Sequence, residues 1–123
     1  MSEEIFKKLA ILYTGVERLT KATQERIIND HFGCSPLLMY IAWNLIKKKQ
    51  TISDIAHPKH LVWTLYYLKQ NPLQTVGAIF CKADKGTFKK WRNYFIEKLA
   101  NMDIVSTRRT KILSFYFFHI FFV

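Results

Sequence analysis

Apolar positions recur at helical spacing along most of the chain, and the breaks between periodic segments fall at glycine, proline or short polar residues. Ile5, Leu9 and Leu12 share one face and predict a first helix ending near Tyr13. The run TKATQERIINDHF predicts a second, from Thr20 to a stop at Gly33. Ser35 is placed to cap a third helix with Pro36 in its first turn, where a missing N–H costs nothing. That helix carries Leu38, Ile41, Ala42 and Leu45 at helical spacing and ends on three lysines, which suit the negative end of its dipole. QTISDIAH reads as a connector. Pro58 opens a fourth helix with Leu61, Leu65 and Leu68 inward, and Asn71-Pro72 breaks it. LQTVGAIF predicts a short fifth helix turned inward through Val76, Ile79 and Phe80, and Asp84 is a good N-cap for a sixth.

The expected fold class is therefore all-α, with about six helices. Helix, short turn, helix occurs twice, around GCS in the first half and KAD in the second. Two helix-turn-helix-like units follow: an N-terminal helical unit over 1–56, and a unit over 57–103 whose second helix, 84–101, is the candidate recognition helix. Trp43, Trp63 and Trp91 each fall on an apolar helix face, so they are expected to pack the units together with Phe80 and Phe88.

The sixth helix carries the most informative pattern. Phe88, Trp91, Phe95, Leu99 and Met102 cluster on one side as a core face. Lys89, Lys90, Asn93 and Glu97 lie opposite, Lys85 and Arg92 stand at a flank, and Lys82 precedes the helix in the turn. Cations near a helix N-terminus oppose the macrodipole by about 0.3–1 kcal/mol each. A helix selected for stability alone would carry acids there, and Asp84 is the only one. A recognition helix resolves the conflict, because its N-terminal half enters the major groove beside phosphates. Lys82, Lys85, Lys89, Lys90, Arg92 and Asn93 are the candidate nucleic-acid-binding residues. Lys85 and Lys89 are placed for phosphates or guanine edges, and Asn93 for bidentate reading of adenine. The competing reading is a basic face that only meets water.

Composition strengthens the first reading. Nineteen basic residues against nine acidic ones give a formal charge of +10, which favours an anionic partner such as nucleic acid or an anionic membrane surface. Cys34 and Cys81 are too few and too far apart for a secreted disulfide framework, so a reducing compartment is expected. The acidic, amphipathic N-terminus is wrong for a signal peptide. A nuclear or otherwise intracellular protein, not a secreted one, is the expectation. His31, Cys34, His57 and His60 lack the knuckle spacing of a structural zinc site, so no metal is expected. No cofactor, glycine-rich phosphate loop, Ser/His/Asp constellation or small-molecule substrate is indicated either.

The run HPKHLVWTLYYLKQNPLQTVGAIFCKADKGTFKKWRNYFIEKLA resembles the segment ahead of the catalytic domain in Harbinger-like DDE transposases and proteins derived from them. The upstream HFGCSPLLMYIAWNLI fits the same pattern. The features that carry the resemblance are His31 to Pro36, Trp43, His60 to Trp63 with Leu68 and Lys69, and Thr87 to Trp91, within about residues 24 to 103. The resemblance implies a helix-turn-helix module that binds transposon ends. It places catalysis in a separate RNase H-like domain, whose three carboxylates hold two divalent metals for phosphodiester cleavage. Beyond Glu97 this chain has only Asp103 and no strand-borne acids, so no catalytic residue carries over and no enzymatic activity is expected of it. Double-stranded DNA is the expected partner. The alternatives are a protein-interaction module that docks a partner or a second copy, with TLYYL as one pairing segment, and a fragment of a transposase.

After Asp103 the sequence departs from the family pattern. Residues 104–123 end in twelve that are almost wholly apolar and aromatic, too few for a spanning helix, which needs about 20. An interfacial anchor behind Arg108, Arg109 and Lys111, or a packed segment over the core, are two readings. The preferred one is translated intron. Val105-Ser106 can be encoded by the hexamer that commonly starts introns, and the Phe, Tyr, Ile and Lys that follow have A/T-rich codons.

Overall fold

Capping chemistry sets the helix boundaries. The structure, a computed structural model, describes residues 2–101; Met1, Met102, Asp103 and the apolar segment 104–123 lie outside them. Six α-helices and no strand are present among the described residues: α1 Glu3–Thr14, α2 Lys21–Phe32, α3 Pro36–Lys49, α4 Pro58–Gln70, α5 Gln74–Phe80 and α6 Lys85–Ala100. Thr20 accepts a hydrogen bond from the Thr23 amide at 3.3 Å, Ser35 from the Leu38 amide at 3.3 Å, and Asp84 from the Thr87 amide at 3.1 Å. Each satisfies an N–H that the first helical turn leaves orphaned. Gly33 ends α2 in the left-handed region at φ 75°, which a residue without Cβ adopts freely.

One core joins both halves of the chain. Its axis is α4, which is buried all the way round from His60 to Tyr66 and packs on α1, α2, α3, α5 and α6. Trp43, Trp63 and Trp91 are all buried, and Phe88 and Phe95 are fully so. The aromatic rings knit the helices together: Trp43 lies 5.8 Å from Phe95 across α3 and α6, and Phe32 lies 6.4 Å from Tyr66 across α2 and α4. The Trp63 indole N–H donates to the Tyr13 hydroxyl at 2.9 Å, tying α4 to α1.

Three faces differ from the sequence expectation. In α1 the buried residues are Phe6 and Ala10, whereas Ile5 is exposed, Leu12 is 53 % exposed and Leu9 is half-buried. The helix is turned by one residue because burying the Phe6 ring against Tyr40 and Trp43 removes more apolar surface than a leucine would. In α3 the same displacement buries Met39, Ala42, Trp43 and Ile46, and leaves Leu38, Ile41 and Leu45 half-buried. In α5 the correction is larger. Val76 and Ile79 face solvent, Ile79 being 72 % exposed, and Phe80 is half-buried; the inward face is Gly77 and Ala78.

Close approach explains α5. A Cβ at Gly77 would sit 2.7 Å from Cε2 and Cζ of Phe88 and 3.3 Å from Cγ of Pro72. Phe88 is fully buried and has nowhere to yield. Gly77→Ala should therefore lower stability by about 1–2 kcal/mol, because overpacking at about 1–3 kcal/mol outweighs the helix propensity that alanine adds. Denaturant titration of the two proteins reads this directly, and a more stable variant would contradict the packing.

Candidate nucleic-acid interface

The turn between α5 and α6 spans four residues, 81–84, a length found in helix-turn-helix pairs. It closes on a Schellman pattern. The Ala83 amide donates to the Ala78 carbonyl at 3.0 Å and the Lys82 amide to the Ile79 carbonyl at 3.1 Å. Lys82 occupies the left-handed position at φ 56°, where glycine is usual and a side chain costs about 1–2 kcal/mol. A long basic side chain is thus held out from the turn against local preference.

Packing on α4 fixes the rotation of α6. Phe88, Trp91, Phe95 and Leu99 are buried, as the periodicity of the segment predicts. Trp91 stacks on the ring of His60 at 4.2 Å with the planes 2° from parallel, and it meets Tyr94 edge-on at 5.3 Å. Thr64 donates to the His60 carbonyl at 2.9 Å and approaches the Trp91 carbonyl at 3.5 Å. At the far end the Ser53 amide donates to the Tyr94 hydroxyl at 2.8 Å, and the Gln50 side-chain amide donates to the Lys98 carbonyl at 2.8 Å. The helix is held from both sides and cannot roll.

The opposite face therefore points outward. Lys85, Lys89, Lys90 and Asn93 are exposed there, and Lys82 is exposed in the turn. None of these lysines forms an ion pair among the described residues. Arg92 stands apart. It is half-buried, with its guanidinium 4.3 Å over the Tyr67 ring and 5.7 Å from Phe88, and its Nε donates to Oδ1 of Asn93 at 3.3 Å. Stacking leaves the guanidinium edge available for a phosphate, as planar cations on aromatic faces allow. The Lys90 ammonium sits 5.0 Å over Trp91. Sequence reasoning missed Tyr67 and His60, the two residues of α4 that seat Arg92 and Trp91. Neither carried a signal in the sequence, because α4 is buried all the way round from His60 to Tyr66 and no one face stands out.

His60 is also the most perturbed base among the described residues. Burial, reinforced by the positive charges of Lys59, His57 and Lys90, lowers its pKa from 6.5 to about 4. It is held neutral with Nδ1 accepting the His57 amide at 2.9 Å. Protonation would both charge the stacked ring and remove that acceptor. The unfolded chain takes up the proton near 6.5 and the folded chain only near 4. The stabilising contribution is thus complete above about pH 6.5 and is lost as pH falls toward 4, by about 2 kcal/mol. Unfolding midpoints at pH 7 and pH 4.5 should fall further apart in the parent than in His60→Gln, which does not titrate. Equal pH dependence in the two would contradict the assignment.

Of the other zinc candidates, His31 stacks on Phe80 at 5.7 Å, Cys34 is a free, buried thiol, and His57 is exposed at the start of α4. Cys81 is likewise a free, buried thiol, and burial pushes the pKa of both cysteines up to about 12. No group of three or more His, Cys, Asp or Glu suited to a metal ion occurs among the described residues. No helix among them is long and apolar enough to cross a membrane. No protein-family model, curated protein or solved structure matches the chain.

Proposed function

We propose that the protein is a DNA-binding module in which α6 is the recognition helix, derived from the helix-turn-helix region of a transposase. One observation carries the reading: Lys85, Lys89 and Lys90 crowd the positive end of a rigidly seated helix, exposed and without acidic partners among the described residues. With Lys82 and Arg92 they supply phosphate contacts, which position the protein without reading sequence. Asn93 lies among them on the outward face and reads a base, adenine being the one its amide matches in the major groove. Binding needs no metal or cofactor on this reading, and double-stranded DNA in the nucleus is the ligand.

Asn93→Ala is expected to relax sequence preference by about 1–3 kcal/mol at one base pair, with thermal stability shifted by less than about 0.5 kcal/mol. Selection of bound duplexes from a randomised pool by the parent and the variant measures this. An unchanged preference would remove Asn93 from the readout.

A protein-interaction module is the second reading, and α5 favours it. Leu73, just before that short helix, and Val76 and Ile79 on it are exposed and form an apolar edge. A docking module would show no duplex affinity with a counterion-release slope.

A further inference from the structure

We propose that Lys98 and the three lysines ending α3, Lys47, Lys48 and Lys49, form a second phosphate-binding patch. It holds the backbone of the same duplex where α6 leaves the groove, and it rests on the reading of α6 as a recognition helix. The outward face of α6 has two flanks. Lys85 and Arg92 mark one, toward α5 and Tyr67: the Gln74 side chain donates to the Lys85 carbonyl at 3.4 Å and Arg92 covers Tyr67. Lys90, Tyr94 and Lys98 mark the other, toward the connector that follows α3. A helix with side chains is about 10–12 Å across and a major groove about 12 Å wide, so each flank of an inserted helix faces one strand.

The second flank continues onto α3. Gln50, the residue after Lys49, donates to the Lys98 carbonyl at 2.8 Å and so joins the C-terminal ends of α3 and α6. The Lys98 ammonium lies 5.2 Å over Tyr94, whose hydroxyl is itself anchored by the Ser53 amide. Lys47, Lys48 and Lys49 are all exposed, and none of the four lysines forms an ion pair among the described residues. From Lys90 to Lys98 the helix rises about 12 Å. That is the rise of three to four base pairs, at about 3.4 Å each.

Glu97 sets the depth. It is exposed near the C-terminal end of the outward face, where a carboxylate beside phosphates repels. The N-terminal half of α6 therefore enters the groove and the C-terminal half lifts from it, which brings Lys98 and the end of α3 to the level of the backbone. The helix dipole explains a cation in the last turn of α3. It does not explain three on successive positions at the end that Gln50 joins to α6, beside a fourth at Lys98.

The test uses the full chain with Lys47, Lys48 and Lys49 changed together to Gln, and a second variant with the three changed to Arg. Both are titrated with a mixed-sequence duplex of about 20 base pairs at several salt concentrations, alongside the Lys85/Lys89/Lys90→Ala variant. The Gln variant should bind roughly 10²–10³-fold more weakly at low salt, with a slope shallower by about 0.9 for each phosphate no longer neutralised, and the Arg variant should match the parent. If the Gln variant does not fold, Lys48→Gln and Lys98→Gln separately carry the same expectation of about 0.9 each. Parental affinity and slope in the Gln variants, with loss confined to the α6 variant, would overturn the second patch and leave the recognition helix standing. Unchanged binding in both sets would overturn both.

Discussion

Trp91→Ala is expected to lower stability by about 3–5 kcal/mol, the range for truncating a large buried aromatic. The indole fills the contact between α4 and α6, stacked on His60 at 4.2 Å, edge-on to Tyr94 at 5.3 Å and 6.5 Å from Phe95. His60 and Phe95 are themselves buried, so the surroundings cannot collapse into the space without disturbing α4. Small domains have about 5–15 kcal/mol in total, and a loss of this size leaves the variant near its unfolding threshold. Urea titration followed by circular dichroism measures the shift. A variant with the parental midpoint and no affinity for DNA would contradict the core role and move Trp91 into the interface.

Helix boundaries were legible because capping is local chemistry. Ser35, Pro58 and Asp84 begin helices, and Gly33 and Asn71 end them, as the sequence around each predicts. Helix faces were less legible. In α1 and α3 the apolar stripe is wider than the buried stripe, so periodicity admits two rotations about 100° apart, and only the packing of Phe6 and Trp43 chooses between them. In α5 the rule that large apolar residues point inward fails, because Gly77 lets the helix touch Phe88 and turns Val76 and Ile79 outward. The outward face of α6 followed from its complement, since Phe88, Trp91, Phe95 and Leu99 leave few alternatives. The seating of Arg92 on Tyr67 was hidden, because a pair 25 positions apart has no periodic signature.

The second large effect concerns the lysines of α6. Each phosphate neutralised releases condensed counterions, so log affinity falls with log salt at about 0.9 per phosphate. Lys85, Lys89 and Lys90 are exposed and unpaired among the described residues, and replacing them removes no packing beyond the approach of Lys90 to the Trp91 ring. Stability should therefore stay within about 0.5 kcal/mol for each substitution, or rise where a cation is taken from the positive end of the dipole. Affinity should not survive. Three phosphates left without a lysine predict a slope shallower by about 2.7, and at low salt that is a fall of roughly 10²–10³ in affinity for every duplex, whatever its sequence.

The most direct measurement is a titration of fluorescent duplex DNA with the parent and the Lys85/Lys89/Lys90→Ala variant across a salt series, with thermal unfolding of both proteins recorded in parallel. A recognition helix requires tight, salt-sensitive binding by the parent, and weaker binding with a shallower slope in a variant that remains folded. A folded variant that binds as tightly as the parent, at every salt concentration, would show that this face of α6 meets water and not phosphate.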